Sequence, residues 1–143
     1  MNVADADPAA PFETVVIPSD LQRAKETERV ILRRIRACGF PEDHAFAVKL
    51  ALEEALTNAI KHGNCFDASK TITVQYAVDA CRVEIVITDQ GGGFNPCDVP
   101  DPTTDENIQR PCGRGILLIR AYMSEVAYNE TGNQIRMVKL NQS

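Results

Sequence analysis

Three short stretches of this 143-residue sequence hold residue types able to do chemistry. Glu54 and Asn58 stand four apart, so on a helix they share a face. A carboxylate placed there can accept a hydroxyl proton, and a carboxamide can offer its oxygen to a hard cation such as Mg²⁺. The same pair also occurs on solvated helix faces, where it needs no ligand. The second stretch is Asp89-Gln90-Gly91-Gly92-Gly93-Phe94, an acid followed by glycines that let backbone approach a flat or charged ligand. A turn with a flexible loop has the same composition. In the third, Gly113-Arg114-Gly115 leads into an apolar run, where free N–H groups and the helix dipole favour phosphate. Arg110 and Arg114 add local positive charge there.

These stretches need particular elements to hold them. Glu13 to Ile17 is β-branched and reads as a strand. Ser19-Asp20-Leu21-Gln22 has the form of a capping box, and apolar residues at helical spacing carry a first helix to Gly39. A second helix is expected from Pro41 to Gly63, with Glu42 and Asp43 at its positive end. Its core stripe is Val48, Leu52, Ala55 and Ala59, with Glu54 and Asn58 on the neighbouring face.

Thr71 to Val78 and Arg82 to Asp89 alternate apolar and polar residues around Asp79-Ala80-Cys81 and predict a hairpin that ends at Asp89. Gln90 to Cys112 is rich in glycine and proline, with almost no periodicity, and reads as a lid or an insert. Ile116, Leu117, Ile119 and Ala121 predict a short third helix, and Glu125 to Asn129 with Gln134 to Leu140 a last hairpin. The expected fold is a two-layer α/β sandwich of the α+β class, a largely antiparallel mixed sheet covered on one face by three helices. Residues 1–11 read as a mobile tail and residues 12–143 as the folded domain.

Composition narrows the function. The formal net charge is −5, so nothing draws the whole protein toward nucleic acid or anionic lipid, and any anion must be held locally. No apolar run reaches the length of a membrane span, and the acidic start is unlike a secretory signal, so a cytoplasmic protein is expected. The five cysteines are scattered without a C-x-x-C pair, which indicates neither a zinc site nor a disulfide frame; Cys112, beside the Gly-rich turn, is the one worth testing for reactivity. Walker, Rossmann and hydrolase-elbow spacings are missing.

Taken together, Glu54-Ala55-Leu56-Thr57-Asn58-Ala59-Ile60-Lys61-His62-Gly63, Asp89-Gln90-Gly91-Gly92-Gly93-Phe94 and Gly113-Arg114-Gly115-Ile116 resemble the GHKL (histidine-kinase-like) ATPase superfamily, and within it the anti-sigma-factor serine/threonine protein kinases. The resemblance runs from about the second helix to the end of the chain. It implies that Glu54 is the general base and that Asn58 ligates the Mg²⁺ bridging the phosphates of ATP. Asp89 would accept a hydrogen bond from the adenine amino group, and Gly91 and Gly93 would let the loop close over the base. Gly113, Arg114 and Gly115 would present N–H groups to phosphate, and residues 94–112 would form the ATP lid. The implied substrate is a serine on a STAS-type anti-anti-sigma protein; the implied partners include a sigma factor, and relatives are often homodimers. The alternative is a non-catalytic, ATP-dependent protein-binding switch. In one departure, Asn133 follows Gly132 where many relatives carry threonine, which weakens that expected nucleotide contact.

Overall fold

The structure, a computed structural model, describes residues 11–91 and 119–141. The chain runs β1 (Glu13–Pro18), α1 (Leu21–Ala37), α2 (Glu42–Asn58), a π-helical turn (Ala59–Gly63), β2 (Thr71–Val78), β3 (Arg82–Asp89), a helical segment over 119–122, β4 (Glu125–Tyr128) and β5 (Gln134–Leu140). The five strands form one sheet in the order β1-β2-β3-β5-β4, and among the described residues every pairing is antiparallel.

Register follows from burial. Val15, Val74, Ile87, Ile135 and Tyr128 stand side by side across all five strands, and Tyr76, Ile85, Met137 and Val126 make a parallel row. A slip by one residue would turn both rows to the other face. The rows join one core with Ile31 and Ile35 of α1, Val48, Leu52 and Leu56 of α2, and Ile119. On the opposite face Glu84, opposite Val138, accepts from Arg136 Nε at 2.5 Å and from Arg82 Nη2 at 3.0 Å.

Both helices begin one step later than the sequence predicts. Asp20, not Ser19, caps α1: its carboxylate accepts from Gln22 N at 2.8 Å, while the Ser19 hydroxyl donates to Lys70 O at 2.9 Å. The capping box fails because Ser19 is drawn into a tertiary contact and the adjacent aspartate is an equally good cap. Pro41 is the N-cap of α2 rather than its first residue, with ψ at 155°, and Glu42 and Asp43 occupy the first turn. The helix ends at Gly63 as expected, but its final turn is π rather than α. Residues 1–10 of the expected tail, the start of the third helix and the expected lid lie outside the described residues.

Candidate functional site

The stripe Val48, Leu52, Ala55 and Ala59 faces the core. Asn58 lies beside it at 4 % exposure, in a small cleft lined also by Ile87, Asp89, Tyr128, Gly132 and Asn133. Its Nδ2 is buried and has no hydrogen-bond partner among the described residues. An amide N–H in that condition costs about 1–3 kcal/mol until something accepts from it, so the cleft is built for a polar occupant.

Asp89 ends β3 against the same cleft and is 5 % exposed. Burial holds its carboxyl above the ordinary carboxylate range, opposed by the hydrogen bond from Gly91 N–H at 2.9 Å and by the charge of Lys70. The backbone around it is clamped from the β4–β5 turn: Asp89 N donates to Asn133 O at 2.9 Å, and Asn133 Nδ2 donates to Asp89 O at 3.3 Å. Two glycines make this geometry. A Cβ on Gly63 would sit 2.3 Å from Asp89 Oδ2, and one on Gly91 would sit 1.7 Å from the Gly63 carbonyl oxygen. Both positions therefore exclude side chains, and the end of α2 packs directly on the Asp89–Gly91 turn. A desolvated carboxylate so held is a strong, directional hydrogen-bond acceptor.

Glu54 is half-buried on α2, one turn before Asn58, but opens elsewhere. It lines a groove between α1 and α2 with Leu21, Ala24, Lys25, Glu28 and Thr57. The structure thus brings Asn58 and Asp89 into one cleft, and Glu54 opens on the adjoining groove. In that groove Glu28, 6 % exposed, is pushed up to about 7 by burial and then by the neighbouring Glu53, with Lys49 and Lys25 pulling the other way. Among the described residues no three His, Cys, Asp or Glu side chains converge as a metal cage. A Mg²⁺ carried on phosphates needs only one or two protein oxygens.

Gly93, Gly113, Arg114 and Gly115, with Arg110 and Cys112, lie outside the described residues. Sequence reasoning missed Asn64, read Gly63 only as a helix end and motif residue, and undervalued Asn133, whose side chain braces Asp89. A glycine and asparagine at a helix end, followed by Cys65 and Phe66 at φ 52° and 58°, was the available signal of a tight junction.

The chain is similar to known proteins along nearly all of its length. A family profile described as Histidine kinase-like ATPase domain matches residues 17–139. The "Serine-protein kinase RsbW" of Listeria monocytogenes serovar 1/2a is 29% identical over 135 residues, covering 83% of this chain and 84% of the relative. The protein of the same name from Bacillus licheniformis is 30% identical over 110 residues, covering 71% of this chain and 68% of its own. A crystal structure of RsbU and RsbW domains from Mycobacterium tuberculosis superposes with a TM-score of 0.62 at 16% identity, covering 94% of this chain and 34% of that one. No described helix is long and apolar enough to cross a membrane. An antiparallel sheet under two long helices, a buried Asn–Asp cleft and these likenesses lead to one conclusion: the chain belongs to the histidine-kinase-like ATPase family, in its branch of RsbW-like anti-sigma-factor serine kinases.

Proposed function

We propose that this protein binds Mg-ATP in the Asn58–Asp89 cleft and transfers the γ-phosphoryl group to a serine of a STAS-type antagonist protein, thereby controlling a sigma factor. The observation that carries the reading is the pairing of a buried amide N–H on Asn58, without a partner among the described residues, with a desolvated carboxylate on Asp89 in one cleft. The first is a polar group that gains from a ligand, and the second an acceptor suited to an exocyclic amino group. A purine amine would donate to Asp89, and Gly91 would let the turn that carries Asp89 pack on Gly63. Gly93, Gly113, Arg114 and Gly115 complete the phosphate cradle in this reading. The Oδ1 of Asn58 would hold the cation, leaving Nδ2 to donate to a phosphate oxygen, and the cation would supply positive charge against the β- and γ-phosphate oxygens.

Glu54 takes the proton from the serine hydroxyl as the serine oxygen bonds to the γ-phosphorus. The bond from that phosphorus to the β,γ-bridging oxygen breaks, and ADP leaves with the electron pair. The groove between α1 and α2, on which Glu54 opens, gives the serine a path that does not cross the base-binding cleft. The position of Glu54 at the groove rather than within the cleft supports this division between nucleotide and protein substrate.

The test is capture from native cell extract on the immobilised protein, with and without Mg-ATP, followed by phosphosite mapping. The expected result is a retained STAS protein carrying one phosphoserine, with one ADP formed per phosphate transferred. Tight nucleotide binding with no transfer to the captured partner refutes the kinase reading. Partner control that survives in Glu54→Gln would point instead to a non-catalytic switch.

A further inference from the structure

Asn64 has no part in the three motifs, yet it is 1 % exposed and its amide makes three hydrogen bonds to three separate segments. Its Nδ2 donates to Ser19 Oγ at 2.9 Å, just beyond β1, and to Thr71 O at 3.0 Å, at the start of β2. Its Oδ1 accepts from Gln90 N at 2.8 Å, just beyond β3. The periphery is closed as well: Ser19 Oγ donates to Lys70 O at 2.9 Å, and Thr71 N donates to Gln90 Oε1 at 2.7 Å.

The bond to Gln90 N is the informative one. That N–H belongs to the peptide joining Asp89 to Gln90, so holding it fixes the plane of that peptide. Gly91 N–H, one residue on, orients the Asp89 carboxylate at 2.9 Å. Asn133 holds the other side of Asp89. The turn is thereby clamped from both flanks, and on the flank away from Asn133 the backbone of the turn is held by the Asn64 side chain, with Gln90 Oε1 accepting from Thr71 N beside it. Only a carboxamide of this length offers two donors and an acceptor here. Aspartate keeps the acceptor but sets a carboxylate against Thr71 O, and alanine leaves buried groups unpaired.

We propose that Asn64 is a positioning residue for base recognition: its amide locks the Asp89-Gln90-Gly91 turn to the ends of β1 and β2, and so sets the direction from which Asp89 meets a purine amino group. The proposal rests on the nucleotide reading above and adds to it a determinant of base selectivity outside the cleft.

The experiment compares binding of ADP with that of IDP, which has a carbonyl in place of the adenine amine, by calorimetry on the full chain. Wild-type protein should prefer ADP. In Asn64→Ala and Asn64→Asp that preference should fall about tenfold or more, with the IDP affinity moving less than about threefold, since a misaimed acceptor loses only the contact it makes. Ser19→Ala removes two bonds of the clamp, the one Ser19 Oγ accepts from Asn64 Nδ2 and the one it donates to Lys70 O, but spares the bond to Gln90 N, and should lower the preference in the same direction by a smaller factor; it serves in their place if the Asn64 variants do not fold. A role in stability alone would lower the melting temperature while leaving the ADP-to-IDP ratio of the folded protein at its wild-type value, and that result overturns the proposal. Wild-type protein that binds neither nucleotide overturns the nucleotide reading and the proposal together. Wild-type protein that binds both equally overturns the role of Asp89 in selectivity, and with it that of Asn64.

Discussion

Gly63→Ala probes the closest contact in the site. A Cβ there would meet Asp89 Oδ2 at 2.3 Å, Cγ at 2.4 Å and Oδ1 at 2.8 Å. Ordinary contact begins at 3.4 Å, so the carboxylate would have to retreat by about 1.1 Å, the difference between 3.4 Å and 2.3 Å. It has little freedom to do so: Asp89 N and O are both bonded to Asn133, and Oδ1 accepts from Gly91 N–H. Moving it forfeits a charge-assisted hydrogen bond worth about 1.5–3 kcal/mol, and forcing a methyl into a packed site costs about 1–3 kcal/mol. Together the variant should lose about 2.5–6 kcal/mol of stability, or a melting temperature roughly 8–24 °C lower for a chain of this size, with adenine nucleotide affinity falling by about two orders of magnitude. The decisive assay is a double-mutant cycle read by chemical denaturation. Asp89→Ala removes the atoms that clash, so Gly63→Ala should cost at least about 1 kcal/mol less in the Asp89→Ala background than in wild type. Costs that add within about 0.5 kcal/mol would falsify the packing argument.

Asn58→Ala removes a buried donor that has no partner among the described residues. Denaturation should therefore show stability within about 1 kcal/mol of wild type, on either side, while calorimetry shows loss of Mg²⁺-dependent ATP binding. Glu54→Gln should lower single-turnover phosphotransfer by about 10²- to 10⁴-fold and leave the ADP dissociation constant within about threefold. Glu28 supplies a pH test. Its folded pKa of about 7 lies above the ordinary value of 4.5, so between these values the native state binds more protons than the unfolded chain, and stability falls as pH rises through that window. Glu28→Gln should flatten this decline and be more stable than wild type at pH 8 by about 1–3 kcal/mol; an unchanged slope between pH 4.5 and 7 in denaturation titrations would refute the assignment.

The strands were legible because their chemistry is periodic. Ile72, Val74, Tyr76 and Val78, like Val83, Ile85 and Ile87, are the residues the alternation selects, and each is buried. The last hairpin was legible from Thr131-Gly132-Asn133, which now joins β4 to β5. The ends of elements were less so. Local rules choose between Ser19 and Asp20, or between Pro41 and Glu42, by small energies, and a tertiary hydrogen bond from Ser19 to Lys70 is enough to decide. Within the site, Asn58 and Asp89 were visible as residue types, but nothing in the spacing shows that Asn58 would be buried and Glu54 only half so. That difference comes from the two side chains lining different openings: Asn58 faces the cleft with Asp89, and Glu54 the groove between α1 and α2. Asn64 and the packing role of Gly63 were invisible because they are made by contacts with residues 19, 71, 89 and 90, brought together only by folding.

The π turn at Ala59–Gly63 has an evolutionary consequence. It winds one residue more into its last loop than an α-helix would, with Asn64 N bonded back to Ala59 O at 2.8 Å. The stretch between Asn58 and Asn64 is thereby a ruler of fixed length: deleting one residue would rewind the loop and rotate every later side chain away from its mark. Homologues of this chain should vary freely in the number of residues joining β2 to β3, and hardly at all in this interval.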